Sequence, residues 1–254
     1  MGNDSMRIRA RSRLLTGSGR TAVVAAALLP ALALTAACGG GKSDKGGKDQ
    51  PKNVRASGAV STANLTQALL TSKDVPHVQV LPAGSKGQLL GGPQTADRPA
   101  CQPVADQWSS QPKHPRQVYV GAMVTDTAAS DKNAKTISLT VVASYVAGEA
   151  KSVLDDLTTS LKSCTSFSST RNGVSTTFDV KSVPSSGTYG DQQVTYTIGD
   201  DKKGRQGTVL VTVIRVGDTT AAYETLRADH EPATLRADIP TRQVAKLRDA
   251  AKPH

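Results

Sequence analysis

Hydrophobic and polar positions alternate with period two in six stretches of this chain, a pattern that predicts strands. Thr136–Val146 is the clearest, with Ile137, Leu139, Val141, Ala143 and Tyr145 on one face. Arg116–Thr125, Val174–Val183, Gln192–Ile198, Arg205–Val216 and Thr219–Leu226 are β-rich in the same way. Val209, Leu210, Val211, Val213, Ile214 and Val216 form the most continuous apolar run, as expected of a central strand covered on both faces. Turn chemistry separates the strands. Polar Asp126–Lys135 would close a hairpin, Asn172-Gly173 is a type I′ signal, Gly199–Gly204 is a polar loop, and Gly217-Asp218 suits a two-residue turn.

The period changes over Gly148–Ser163, where Ala150, Val153, Leu154, Leu157 and Leu161 recur at helical spacing. Glu149 near the start and Lys162 near the end suit the helix dipole. Cys164 continues the apolar stripe and is expected to point inward. A short helix is predicted within Thr62–Ser72, through Leu65, Leu69 and Leu70, stopping before Asp74-Val75-Pro76. Another is predicted in Ile239–Ala251, with Val244 and Leu247 inward. Pro82–Pro115 is rich in Gly, Pro, Gln and Ser, with one helical turn after Pro103 leading to Trp108. So long a loop is unusual in a compact domain and is expected either to bind something or to be a pinned wrap. Trp108 is its candidate ligand-binding residue; the alternative role is to anchor the loop against the sheet. The element order β-β-α-β-β-β-β gives an α+β domain, an antiparallel sheet of about six strands with helices packed on one side.

The N-terminus follows a different pattern. Arginines from Arg7 to Arg20 precede an apolar run, Thr21–Ala36, that is interrupted by Pro30. At about 16 residues the run falls short of the roughly 20 needed to span a bilayer, and it reads as a secretory signal. Leu34-Thr35-Ala36-Ala37-Cys38-Gly39-Gly40 resembles the bacterial lipobox. That resemblance implies diacylglyceryl attachment to the Cys38 thiol and cleavage before it. Residues 1–37 are then a signal peptide, 38–57 a lipidated flexible tether dense in Gly, Lys and Asp, and 58–254 an extracytoplasmic domain. The expected location is the outer face of the cell membrane, held by the lipid on Cys38.

This division changes the meaning of the charge. The whole chain carries +10, but residues 1–37 hold +4 of it and residues 38–57 another +3, leaving the domain about +3. With only 3% aromatic residues and no basic run inside the domain, a nucleic-acid partner is not expected. Once Cys38 is lipidated, Cys101 and Cys164 are the two remaining thiols in an exported chain, and a disulfide between them is expected. Neither lies in a Cys-x-x-Cys, so no redox or metal role is assigned. No Gly-x-Ser-x-Gly, His-Glu-x-x-His, Walker loop or Gly-x-Gly-x-x-Gly is present, so neither catalysis nor a cofactor is expected. His77, His114 and His230 stand apart from carboxylate clusters in sequence and read as solvated loop residues. Asp155-Asp156 reads as solvated charge on the polar face of a helix.

Leu65-Thr66, Leu70-Thr71, Asp74-Val75-Pro76 and Pro99-Ala100-Cys101, followed by an amphipathic helix ending at Cys164, form a further pattern. It resembles the extracellular sensor domains of mycobacterial receptor Ser/Thr kinases and their free-standing lipoprotein relatives, over residues 62–250. That family often has Gly after the Asp-x-Pro, where this chain has His77. The resemblance implies an extracytoplasmic α+β domain, a disulfide, and a cleft for an envelope ligand, and it transfers no ligand-contacting residue. Binding or sensing of an envelope small molecule, lipid or protein is therefore the expected function. A protein-interaction or scaffolding module is the alternative, and an unrecognised hydrolase or transferase comes third.

Overall fold

The computed structural model describes residues 60–171, 173–201 and 207–252. The signal peptide, Cys38 and its tether, Asn172, and the centre of the Gly199–Gly204 loop with Arg205 lie outside the described residues. Four helices and nine strands are present among the described residues. In chain order they are α1 (Thr62–Ala68), β1 (Val78–Pro82), β2 (Thr95–Ala96), α2 (Gln102–Ala105), β3 (Val118–Asp126), β4 (Thr136–Ser144) and α3 (Glu149–Ser160). There follow β5 (Ser166–Arg171), β6 (Val174–Ser182), β7 (Gln192–Asp200), β8 (Thr208–Val216), β9 (Thr219–Arg227) and α4 (Asp238–Ala250). None of these helices is long and apolar enough to cross a membrane.

All nine strands form one sheet in the order β1-β3-β4-β9-β8-β7-β6-β5-β2, with every neighbouring pair antiparallel. The expected α+β class and antiparallel pairing hold, but the sheet is wider than the six strands read from periodicity. β1, β2 and β5 carry too little alternating apolar character: β1 is five residues ending in Pro82, β2 is two residues, and Phe167 is the one large apolar side chain of β5. β8, the most apolar strand, stands fifth of nine, at the centre. Gly173 and Gly217 take left-handed φ values of 77° and 56° at two-residue hairpin turns, a conformation glycine reaches without a steric cost.

Helices cover both faces of the sheet, not one. Directly paired residues of antiparallel strands share a face. On one face Val124, Val142, Ile214, Ala221 and Tyr223 form a core with α1 and α4, through Leu65, Ile239, Val244 and Leu247. On the opposite face Ala143, Val213, Tyr196 and Ala222 pack beneath α2 and α3, through Val104, Leu154 and Leu157. The sheet must be apolar on both sides because its connections cross both. β4 leads through α3 across the second face to β5 near the far edge, and β5 to β9 then meander back to lie beside β4.

The Asp-x-Pro motif acquires a structural role in this arrangement. Asp74 accepts from the Thr71 N–H (2.8 Å), the Thr71 hydroxyl (2.9 Å) and Lys246 (2.8 Å), and pairs with Arg242 (3.1 Å). Burial would raise its pKa, but these donors and charges outweigh it and hold the carboxyl well below the usual carboxylate range. Gln243, fully buried on α4, donates to the Ala68 carbonyl (2.7 Å) and accepts from the Leu70 N–H (3.2 Å), satisfying groups left over at the end of α1. His77 follows the motif with φ 60°, in the left-handed region where glycine is favoured. This is the position at which the resembled family often has Gly.

Candidate functional site

The long segment between β1 and β3 is a strap. It leaves one edge of the sheet at β1, crosses the face that carries α2 and α3, adds β2 to the opposite edge beside β5, and returns to β3. Close approach to the sheet is possible because Gly121 lies beneath it: a Cβ there would stand 2.3 Å from the Thr140 carbonyl oxygen and 2.6 Å from a Leu89 methyl. Leu89 and Leu90 are buried against Val141. Lys86 lies over the Tyr119 ring, 4.9 Å from its centroid. Trp108, half-buried, accepts from the Gly91 N–H at 3.0 Å through its backbone carbonyl and so joins the outgoing and returning limbs.

The return limb is pinned in three ways. Cys101 and Cys164 are joined in a disulfide, both buried, with Cα atoms 5.2 Å apart. Ser160 on α3 donates to the Ala100 carbonyl at 2.6 Å. His114 is wedged between two carboxylates of α3, Glu149 at 2.5 Å and Asp156 at 3.0 Å, and its side chain is only 15% exposed. His114 is thus not the solvated loop residue expected from its sequence surroundings. Asp156 likewise is not free charge, since it also pairs with Lys113 at 2.7 Å. Asp155 bonds Lys151 at 2.5 Å and Gln192 at 3.0 Å. Burial alone would lower the His114 pKa, but the hydrogen bonds and charges of Asp156 and Glu149 outweigh it and raise it above the ordinary value. Two spaces border this cluster, one of about 20 Å³ beside His114 and an open one of about 220 Å³ beside Lys113 and Asp156. The cluster clasps the strap to α3.

Between the strap and the sheet lies a cavity of about 310 Å³, at the small end of the range for ligand pockets. Its roof is the Gly87–Gly91 segment with Val104, Ala105 and Trp108; its floor includes Leu139, Ile198, Val209 and Glu224; Phe167 and Phe178 form a wall. The two phenylalanine rings are tilted against one another with centroids 5.5 Å apart. Glu224 is paired in register with Leu139 on one side and Val211 on the other, so its carboxyl shares a sheet face with aliphatic neighbours. Burial pushes its pKa up, and it makes no hydrogen bond or ion pair among the described residues. Tyr196, in the same row beyond Val211, is fully buried; burial and the nearby Glu224 charge push its hydroxyl well above its ordinary range. That hydroxyl and the Trp108 indole N–H lie close together without meeting hydrogen-bond geometry, and both are buried without a partner.

Of the residues singled out from sequence, Trp108 thus lines the cavity, the Cys101–Cys164 disulfide pins the strap beside it, and Cys38 lies outside the described residues. Sequence reasoning missed Glu224, Phe167 and Phe178. The available signal was a lone carboxylate inside the apolar strand Thr219–Leu226, and the scarcity of phenylalanine, of which the chain has two. Among the described residues no group of three or more His, Cys, Asp or Glu side chains could hold a metal ion.

The domain is thus a strapped antiparallel sheet with helices on both faces and a small cavity under the strap. The extracellular domain of PknH from Mycobacterium tuberculosis has a similar fold: 76% of this chain and 97% of that chain superpose with a TM-score of 0.51 at 11% sequence identity. An uncharacterized protein of Mycobacterium smegmatis, the Rv0999 ortholog, aligns over 77% of this chain and 98% of its own, with a TM-score of 0.33 and 13% identity. No protein-family model and no curated protein sequence matches the chain.

Proposed function

We propose that this chain is a lipid-anchored extracytoplasmic protein whose domain binds a small envelope molecule in the cavity under the strap, and that it does so without turning the molecule over. The observation that carries the binding reading is the cavity itself: roofed by a strap held by a disulfide, walled by aromatic rings, and holding one carboxyl that lacks a partner among the described residues. Anchorage rests on the lipobox-like Leu34–Gly40 and the diacylglyceryl group it implies on Cys38. An extracytoplasmic setting agrees with that leader and with a fold like that of the PknH extracellular domain. Two experiments test it. Native mass spectrometry of the protein purified from its own envelope is expected to find a retained small molecule that Trp108→Ala releases. Cys38→Ala is expected to abolish lipid labelling and membrane retention; if both survive the substitution, the anchor is not Cys38.

A second reading, docking of a protein partner, is favoured by one observation. Leu81 and Met123 are paired in register beside Leu139 on the face that carries the cavity, and they are 69% and 46% exposed. Co-purification of a protein lost on Leu81→Lys, with no small molecule retained, would favour that reading over the first.

A further inference from the structure

We infer that the cavity under the strap takes a small organic cation, an amine or quaternary ammonium group, with Glu224 as its counter-charge and the Trp108, Phe167 and Phe178 rings as its walls. This rests on the ligand-binding reading above and narrows it to a chemical class.

The first support is where the aromatic side chains go. The chain has one Trp and two Phe in 254 residues, and all three line this one cavity. Phe167 also belongs to the core on that face, with Tyr145 and Tyr196, whereas Tyr189 and Tyr223 lie in the core of the opposite face. Ring faces carry negative potential and attract cations, most strongly when water is excluded.

The second support is the charge of the wall. Among the described residues lining the cavity, Glu224 is the one charged side chain, with no Lys, Arg or His beside it. Its carboxyl sits in a row between Leu139 and Val211. A carboxylate in such surroundings is unfavourable until it meets a positive group, and burial accordingly raises its pKa. Lys86, the nearest strap cation in sequence, is engaged over Tyr119. A bound ammonium would supply the counter-charge that the described lining residues leave out. An anion would instead meet the carboxylate of Glu224, and a neutral apolar molecule would give that group no counter-charge. The ligand class thus follows from one carboxyl and three ring faces gathered at one cavity.

The sole tryptophan makes the test direct, because fluorescence of Trp108 in the full-length protein reports on the cavity wall. Three probes of nearly equal shape differ in charge: choline, 3,3-dimethylbutan-1-ol and 3,3-dimethylbutanoate. Choline is expected to bind about tenfold more tightly than the alcohol, and the carboxylate not measurably. Glu224→Gln, which keeps the side-chain shape, is expected to remove the preference for choline while leaving the alcohol's affinity unchanged. Phe178→Leu is expected to weaken choline more than the alcohol. The probe series on the unaltered protein needs no variant to fold. Equal or tighter binding of the alcohol or the carboxylate would overturn the cation inference while leaving the ligand-binding reading in place. Absence of binding by all three probes would overturn the inference too, and the ligand-binding reading would then stand or fall on the native mass spectrum.

Discussion

Removing the strap's covalent pin gives a measurable check on how the domain is held together. Cys101 sits at the end of the Pro99–Cys101 turn that leads into α2, Cys164 just beyond α3, and the two are separated by 63 residues. In the chain-entropy account, opening a loop of that size restores about 4 kcal/mol of freedom to the unfolded chain. The native strap retains other ties, since Arg98 donates to the Ser166 carbonyl at 2.8 Å and Gln102 bridges the Gln94 carbonyl (3.1 Å) and the Ala96 N–H (2.9 Å). The loss should therefore fall chiefly on the unfolded state. For a domain of this size each kcal/mol moves Tm by about 2–4 °C, so a Cys101→Ala/Cys164→Ala double variant is expected to melt about 8–16 °C lower. Its denaturant m-value should rise because the unfolded chain expands further. Circular dichroism melts and urea titrations of the two proteins, both without reductant, measure these quantities. A Tm within about 3 °C of the parent with an unchanged m-value would refute the reasoning and make the bridge incidental to stability.

Gln243→Met keeps the volume of a fully buried side chain but strips both hydrogen bonds from the end of α1, and is expected to cost about 2–4 kcal/mol in urea unfolding. The His114 clasp predicts a pH dependence. Its folded pKa is raised, so the stability it contributes is fully present below the ordinary value of 6.5 and is lost as pH rises through the higher folded value. The Asp156 contribution, with a lowered pKa, is present above 3.8 and lost as pH falls through the folded value. The stability gap between the parent and His114→Gln should accordingly be widest between these limits and close on the alkaline side; a gap that keeps growing as pH rises above 6.5 would contradict the assignment. His77→Gly should leave Tm unchanged or raise it slightly, because relief of a left-handed backbone worth about 1–2 kcal/mol offsets the flexibility glycine adds, and a clear drop in a thermal melt would show that the His77 side chain matters.

Local physics was legible in the residues themselves. Alternation marked β3, β4 and β6 to β9 because a strand half-buried on either face repeats every two residues, and the stripe from Ala150 to Leu161 marked α3 because a helix repeats every 3.6. The continuity of Val209–Val216 even revealed which strand is central. Hairpin partners followed from the turns, but the pairing of strands distant in sequence and the face each helix covers were decided by tertiary structure. β5, four of whose six residues are Ser or Thr, is a strand because β6 and β2 flank it, and no periodicity announces that. The placement of α1 and α4 on one face and α2 and α3 on the other follows from which way each connection crosses the sheet. The candidate site needed the same information. Glu224 and Trp108 lie 116 positions apart in the chain and meet because the strap crosses the face that β9 presents. His114 lost its apparent isolation for the same reason, finding Glu149 and Asp156 on a helix 35 and 42 residues away. A residue's period depends on its near neighbours along the chain, whereas its partners across a strap or a sheet depend on the path of everything between them.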